Sequence, residues 1–148
     1  MIFYFSATGN SRHIARRIAA SLGDEALSIT ELVRGGSFSF DGGYETLGII
    51  SPTYSWGLPV IVRGFLEKLE LKAAPNYLYF IASYGTTPGQ TGRFAAEALK
   101  GSGLSPAAFF SVKMPDTWTP IFDLSDKNRV GRINEAAEGQ IGRIIERI

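Results

Sequence analysis

Cysteine is absent from the 148-residue chain. Its absence excludes disulfides, iron–sulfur clusters, thiolate zinc sites and a cysteine nucleophile. Histidine occurs once, as His13, too few for a multi-histidine metal centre. Neither sign of charge prevails: 15 Lys and Arg oppose 14 Asp and Glu, a formal net charge of +1. That balance, with no basic stripe interleaved with aromatics, does not suit a nucleic-acid binder. No apolar run reaches membrane-spanning length, so no membrane association is expected. The chain opens on Met1-Ile2-Phe3-Tyr4-Phe5 without a basic flank or a small-residue cleavage site. We therefore expect no signal peptide and a cytoplasmic location.

What is present is an ordinary globular mixture, 45% hydrophobic and 12% aromatic, of a length that suits one domain. A domain of this size buries about 70% of its unfolded surface and needs no covalent staple. The 17 glycines fall mostly between apolar runs, as loop punctuation does. Those runs alternate between two periods. Ile2–Phe5 is short, continuous and aromatic, the pattern of a strand buried on both faces. Ala26–Ile29, Leu47–Ser51, Tyr77–Ser83 and Ala107–Val112 predict four more strands.

Helical spacing fills the gaps. Ile14, Ile18 and Leu22 form one stripe in Asn10–Leu22, closed by Gly23. Pro59, a first-turn proline, precedes Val62, Phe65, Leu66 and Leu69. Gln90–Lys100 is predicted helical with Gly101 as its stop, and a last helix runs from about Asn128 to the end. Residues 30–46, with two glycine pairs, predict a short or irregular crossover. Five strands alternating with helices imply an α/β fold: an open parallel sheet covered on both faces, a three-layer α/β/α sandwich. At this length the five-strand order 2-1-3-4-5 fits better than a six-strand dinucleotide fold.

In such sheets ligands sit beyond the carboxyl ends of the strands, where three loops stand out. Ser6-Ala7-Thr8-Gly9-Asn10-Ser11 leads from the first strand straight into a helix. Exposed amides and the helix dipole favour an anion there, hydroxyls and an amide add donors, and Gly9 permits close backbone approach. The same residue types also serve as plain helix caps. Arg12 and His13 follow in the first turn, where the dipole disfavours cations unless an anion is bound. A Walker A loop and a G-x-G-x-x-G fingerprint are both missing. A receiver domain needs an aspartate where Ser51-Pro52 stands. The loops Pro52-Thr53-Tyr54-Ser55-Trp56-Gly57 and Ser83-Tyr84-Gly85-Thr86-Thr87-Pro88-Gly89 supply aromatics and free backbone groups on the same edge. Together they suit a flat apolar ring with a polar rim, or a packed lid on the sheet.

Taken together, FYFSATGNSRHIA, PTYSWGLP and SYGTTPG resemble the phosphate loop and the two ring loops of the flavodoxin family. The likeness is strongest to flavodoxin domains found alone or fused to ferredoxins in bacteria and archaea, and it covers nearly the whole chain. It implies a flavodoxin-like fold, non-covalent binding of FMN and one-electron transfer. It also implies that Ser6, Thr8, Gly9, Asn10 and Ser11 hold the phosphate, with help from Thr53. Trp56 would lie against one ring face, and the Trp56–Gly57 peptide would turn its carbonyl toward the reduced ring. Ser83 to Gly89 would meet the pyrimidine edge. Partners would be a reductase or iron–sulfur protein on a separate chain, or a small-molecule acceptor. An NAD(P)H-dependent FMN or quinone reductase and a cofactor-free interaction module remain as alternatives.

Three departures from the family pattern shape further expectations. The loop 83–89 carries threonines where many relatives place an aromatic, so Trp118 or Phe122 from the long segment 114–123 is expected to approach the ring or pin that segment to the core. The three ring and phosphate loops hold no Asp or Glu, from which we expect a less negative second potential than in acidic relatives. Weak charge steering should leave partner docking with little salt dependence. His13 is expected as a solvated surface residue, and Asp123 and Asp126 as caps of the last helix.

Overall fold

The computed structural model of the chain describes residues 1–117 and 122–148. Three continuous apolar runs form the central strands β1 (Ile2–Tyr4), β4 (Thr46–Pro52) and β6 (Tyr77–Tyr84). They lie in the order β2-β1-β4-β6-β7, flanked by β2 (Ala26–Ser28) and β7 (Ala108–Lys113), and every pairing is parallel. Numbering only these five strands gives the expected order 2-1-3-4-5.

Alternate residues of each strand face opposite layers. Phe3, Leu47, Ile49, Leu78 and Phe80 point into one core with α3 (Val60–Lys68) and α4 (Thr91–Leu99). Ile2, Ile50, Tyr79 and Ile81 point into the other with α1 (Asn10–Leu22) and α5 (Lys127–Ile145). Strands buried on both sides cannot alternate polar with apolar, which explains the continuous runs.

Several boundaries differ from expectation. Ile29 leaves the second strand to open a short helix α2 (Ile29–Arg34). The crossover of residues 30–46 contains a strand β3 (Ser39–Gly42), which pairs in parallel with an unexpected β5 (Glu70–Ala73) in a separate two-stranded sheet. Phe40 anchors this outlier by packing on Phe3, ring centroids 4.8 Å apart. Gly101 does not stop α4. The chain continues through a 3₁₀ turn, Lys100–Ser102, to Gly103, whose φ of 69° supplies the left-handed exit. Pro59 is the residue before α3 rather than in its first turn, and its carbonyl accepts from the Val62 and Arg63 amides. Asp126 caps α5 by accepting from the Arg129 amide at 2.9 Å, whereas Asp123 accepts from Ser125 in the preceding turn.

Candidate functional site

Parallel pairing sends the ends of β1, β4 and β6 to one edge. Tyr4 lies beside Ile50, and Pro52 beside Ser83. The alignment continues outward, with the Phe5 amide on the Ile50 carbonyl at 3.0 Å and the Thr53 amide on the Ser83 carbonyl at 2.9 Å. The three loops are thereby forced into one neighbourhood. Between them lies a cleft of about 700 Å³, within the range of small-molecule and cofactor sites.

Of the residues singled out in the sequence, Ser6, Ala7, Thr8, Asn10, Ser11, Pro52, Thr53, Tyr54, Ser55, Trp56, Ser83, Tyr84, Gly85 and Thr86 line this cleft. Gly9, Gly57, Thr87 and Gly89 are not among its lining residues. Gly9 precedes α1 at φ 110°, a conformation that only glycine adopts readily, and no side chain caps the helix. The Gly9 carbonyl accepts from the His13 amide at 2.9 Å, and its amide donates to Ser6 Oγ at 3.1 Å. An uncapped helix start that opens on a cleft offers backbone donors to an anion.

The side chains of this loop are used differently from expectation. Ser11 is buried and shares a 2.8 Å hydrogen bond with Ser83. Asn10 Nδ2 donates to the Pro115 carbonyl at 3.0 Å, and Thr8 Oγ1 meets Thr117 Oγ1 at 3.1 Å. Thr53 Oγ1 accepts from Thr91 Oγ1 at 3.0 Å, tying its loop to the one after β6 instead of reaching toward α1. Anchorage of an anion here would fall mainly to the backbone amides at the start of α1.

Tyr54 and Gly57 exchange two backbone hydrogen bonds, 3.0 and 2.9 Å, around Ser55 and Trp56 at φ 47° and 60°. This is the two-residue turn with both central residues left-handed, usually built from Asn-Gly. Holding two side-chain-bearing residues there costs about 1–2 kcal/mol each. It thrusts Trp56 to the rim, 69% exposed, beside Tyr54 at 46%. Phe5 packs edge-on against Tyr54, and burial raises the Tyr54 phenol above its ordinary pKa.

The Trp56–Gly57 peptide is already held at both ends. The Trp56 carbonyl accepts from the Gln90 amide at 2.8 Å, and the Gly57 amide donates to Tyr54. Rotating that peptide would break both bonds. A Cβ at Gly57 would stand 3.1 Å from the Phe94 ring, which would have to shift by a few tenths of an ångström to admit it. Gly89 is the stricter requirement: at φ 52°, it lets the loop after β6 pack on the Trp56 backbone, where a Cβ would stand 2.3 Å from the Trp56 carbonyl oxygen.

A fourth segment completes the cleft. Pro115, Asp116, Thr117 and Phe122 join its wall. Phe122 was one of the two aromatics anticipated from the long loop; Trp118 lies outside the described residues. The three loops themselves hold no carboxylate, as the sequence shows; Asp116 brings one to the cleft from this fourth segment. The only signal for it in the sequence was the unusual length of the loop that carries it.

Behind the phosphate loop, Arg12, His13, Arg16 and Arg17 line a smaller hollow with Gly9. His13 is not simply solvated. It pairs with Glu138 of α5, whose other oxygen accepts from Arg17 at 3.0 Å. The hydrogen bonds from His13 and then Arg17 hold the Glu138 pKa below its ordinary 4.5. A depressed carboxylate stabilises the fold above its unfolded pKa, and that contribution disappears as pH falls through the folded value. At 40% exposure, screening keeps the contribution to a few tenths of a kcal/mol. Glu138→Gln should therefore narrow the stability difference between neutral pH and about pH 3.5 by that small amount, as read by urea unfolding at both. An unchanged difference would remove Glu138 from the acid response.

A parallel sandwich with a cleft across its strand ends, an uncapped helix at one end and aromatics at the other defines a class: α/β proteins that seat a phosphorylated ring compound at the carboxyl edge. The chain matches the flavodoxin domain over residues 1–141, and it belongs to the flavodoxin family. No curated protein matches it. Among solved structures it is similar to rubredoxin:oxygen oxidoreductase from Desulfovibrio gigas, at 23% identity and TM-score 0.57, over 98% of this chain and 35% of that one. The chain thus spans about a third of that protein's length. It is also similar to a flavoprotein in complex with FMN from Lactobacillus acidophilus, at 15% identity and TM-score 0.55, over 74% and 90% of the two chains. Two-electron reduced Megasphaera elsdenii flavodoxin gives 17% identity and TM-score 0.53, over 93% and 98%. These structural likenesses establish the fold. Family membership makes the chain a flavin-binding electron-transfer protein. Among the described residues, no helix is long and apolar enough to cross a membrane.

Proposed function

We propose that the cleft binds flavin mononucleotide without a covalent link and that the protein passes single electrons between separate redox partners. The observation that carries this reading is the cleft itself, which joins the uncapped start of α1 to an aromatic rim through a cavity of cofactor size. The phosphate would rest on the first-turn amides of α1 behind Gly9, and the ring would lie between the Tyr54–Gly57 turn and the loop 83–89. Bound FMN supplies reversible uptake of electrons; the protein supplies anchorage, stacking and the local field. Thr91 and Thr53 lock the two ring loops together, and the exposed Trp56 covers the ring while leaving an edge open to a partner.

With no cysteine, these 148 residues hold no iron–sulfur cluster themselves, and any such centre lies outside them. The partner is a reductase, an iron–sulfur protein or a small acceptor. Titrating apo-protein with FMN should quench the flavin emission to a one-to-one end point, because stacking on Trp56 and Tyr54 provides a quenching route. Stepwise reduction should then pass through a stable one-electron form. Unquenched emission with no heat of binding would refute the FMN reading. Steady NAD(P)H oxidation by the holoprotein alone would point instead to a reductase.

A further inference from the structure

The outer face of α1 carries charge of one sign. Arg12, His13, Arg16 and Arg17 are all exposed, opposite the buried Ile14, Ala15, Ile18 and Ala19. Their spacing sets Arg12 one turn from Arg16, and His13 one turn from Arg17. No Asp or Glu precedes Asp24 in the chain, so α1 has no acid of its own to offset them. Glu138 of α5 answers one of these pairs, bonding His13 and Arg17. Arg12 and Arg16 form no ion pair among the described residues. With Gly9, the four side chains line a hollow of about 270 Å³, next to the loop that forms one end of the cleft.

This arrangement works against the fold. Cations in the first turn oppose the helix dipole, and like charges four residues apart repel. Elsewhere the signs mix: Glu67 and Glu70 are interspersed with Lys68 and Lys72 where α3 gives way to β5.

We propose that the Arg12–Arg16 face of α1 is a docking surface for a carboxylate-rich redox protein, whose acids meet the two unpaired guanidiniums. A near-zero net charge is no obstacle, because steering follows the local field. Exposed cations orient an approaching protein, whereas a lone small anion gains little from groups that water screens. A protein interface covers about 800 Å² on each side, enough to span the hollow and reach the cleft beside it. The class of partner rests on the electron-transfer reading above; the docking is read without the cofactor.

An acidic plant-type ferredoxin is the probe. Added to isotope-labelled apo-protein, it should shift the amide resonances of residues 12–17. In stopped flow, reduced ferredoxin gives one electron to the oxidised holoprotein and is itself oxidised. That rate should fall as ionic strength rises from about 0.01 to about 0.15 M and the Debye length shrinks from about 30 to about 8 Å. Arg12→Gln with Arg16→Gln should slow it about tenfold at low salt, the lower end of what steering supplies. This variant should melt no lower than wild type, because it relieves repulsion. Arg34→Gln with Lys100→Gln removes as much charge from α2 and the turn after α4, across the sheet, and should leave the rate nearly unchanged.

Unshifted α1 resonances, or equal slowing in the two double variants, overturn the proposal. So does saturable binding of inorganic phosphate at α1 with no response to ferredoxin, which would mark a small-anion site. A lower melting midpoint in the α1 variant would assign the arginines to the fold and overturn it as well. Wild-type protein that fails to take up FMN sinks the flavin reading; the apo-protein titration then still decides this inference.

Discussion

Gly9→Ala is expected to weaken FMN binding by roughly 10- to 100-fold while leaving the thermal midpoint nearly unchanged. Gly9 sits at φ 110° immediately before α1, where a side chain costs about 1–3 kcal/mol. With 1.4 kcal/mol per factor of ten, that strain converts directly to the stated range. The reason it should appear in affinity is local. A Cβ at Gly9 would meet nothing within 4 Å, so no packing forces the loop to keep its shape. In the free protein the loop relaxes and the strain is released. Binding the phosphate demands the original turn, because only that turn presents the first amides of α1 together. Isothermal titration with FMN and a melting curve of the apo-protein separate the two effects. Wild-type affinity in the variant would mean that the phosphate does not rest on these amides.

Gly48→Ala should do the opposite: destabilise the fold by about 2–3 kcal/mol, at the upper end of ordinary overpacking, and leave the affinity of the folded fraction intact. Gly48 lies in mid-sheet opposite Tyr79. A Cβ there would stand 2.5 Å from both Cζ and Oη of that tyrosine. Tyr79 is fully buried, so its ring has nowhere to retreat. Burial, with smaller contributions from Asp24 and Tyr77, also raises the pKa of its phenol and keeps it neutral. Near 4 °C per kcal/mol for a domain of this size, the melting midpoint should fall by roughly 8–12 °C. Tyr79→Leu in the Gly48→Ala background should recover part of the loss, the mark of a direct clash. Gly48 is four residues upstream of Pro52, about 13 Å along the strand from the cleft, which is why FMN affinity should not follow stability.

These two glycines show how differently parts of the molecule were legible. Gly9 was readable because a strand that ends in small hydroxyl residues and turns at once into an amphipathic helix is a local pattern. Gly48 was not, because its partner Tyr79 is brought beside it only by sheet pairing. The same division runs through the site. The loops 6–11, 52–57 and 83–89 could be assigned to one edge from sequence, since parallel strands share a direction and must place their ends together. The use of each side chain within those loops could not. Ser11 turns inward to Ser83, Asn10 reaches Pro115, and Thr53 joins Thr91. Each choice depends on a residue distant in the chain.

The sequence by itself determined the layers and the location of the site. Short, continuous apolar runs bounded by turn residues read as strands covered on both faces, stripes spaced by three and four residues read as helices with one buried side, and right-handed crossovers leave few orders, of which 2-1-3-4-5 fits this length best. Tertiary structure alone decided the β3–β5 pair, the left-handed Ser55–Trp56 turn and the entry of Asp116 into the cleft. In each case the determining interaction is non-local. Four-residue strands have too little pattern to announce a partner, the strained turn is tied from outside by the Gln90 amide on the Trp56 carbonyl, and the Asp116 side chain takes its place from the glycine that makes room for it.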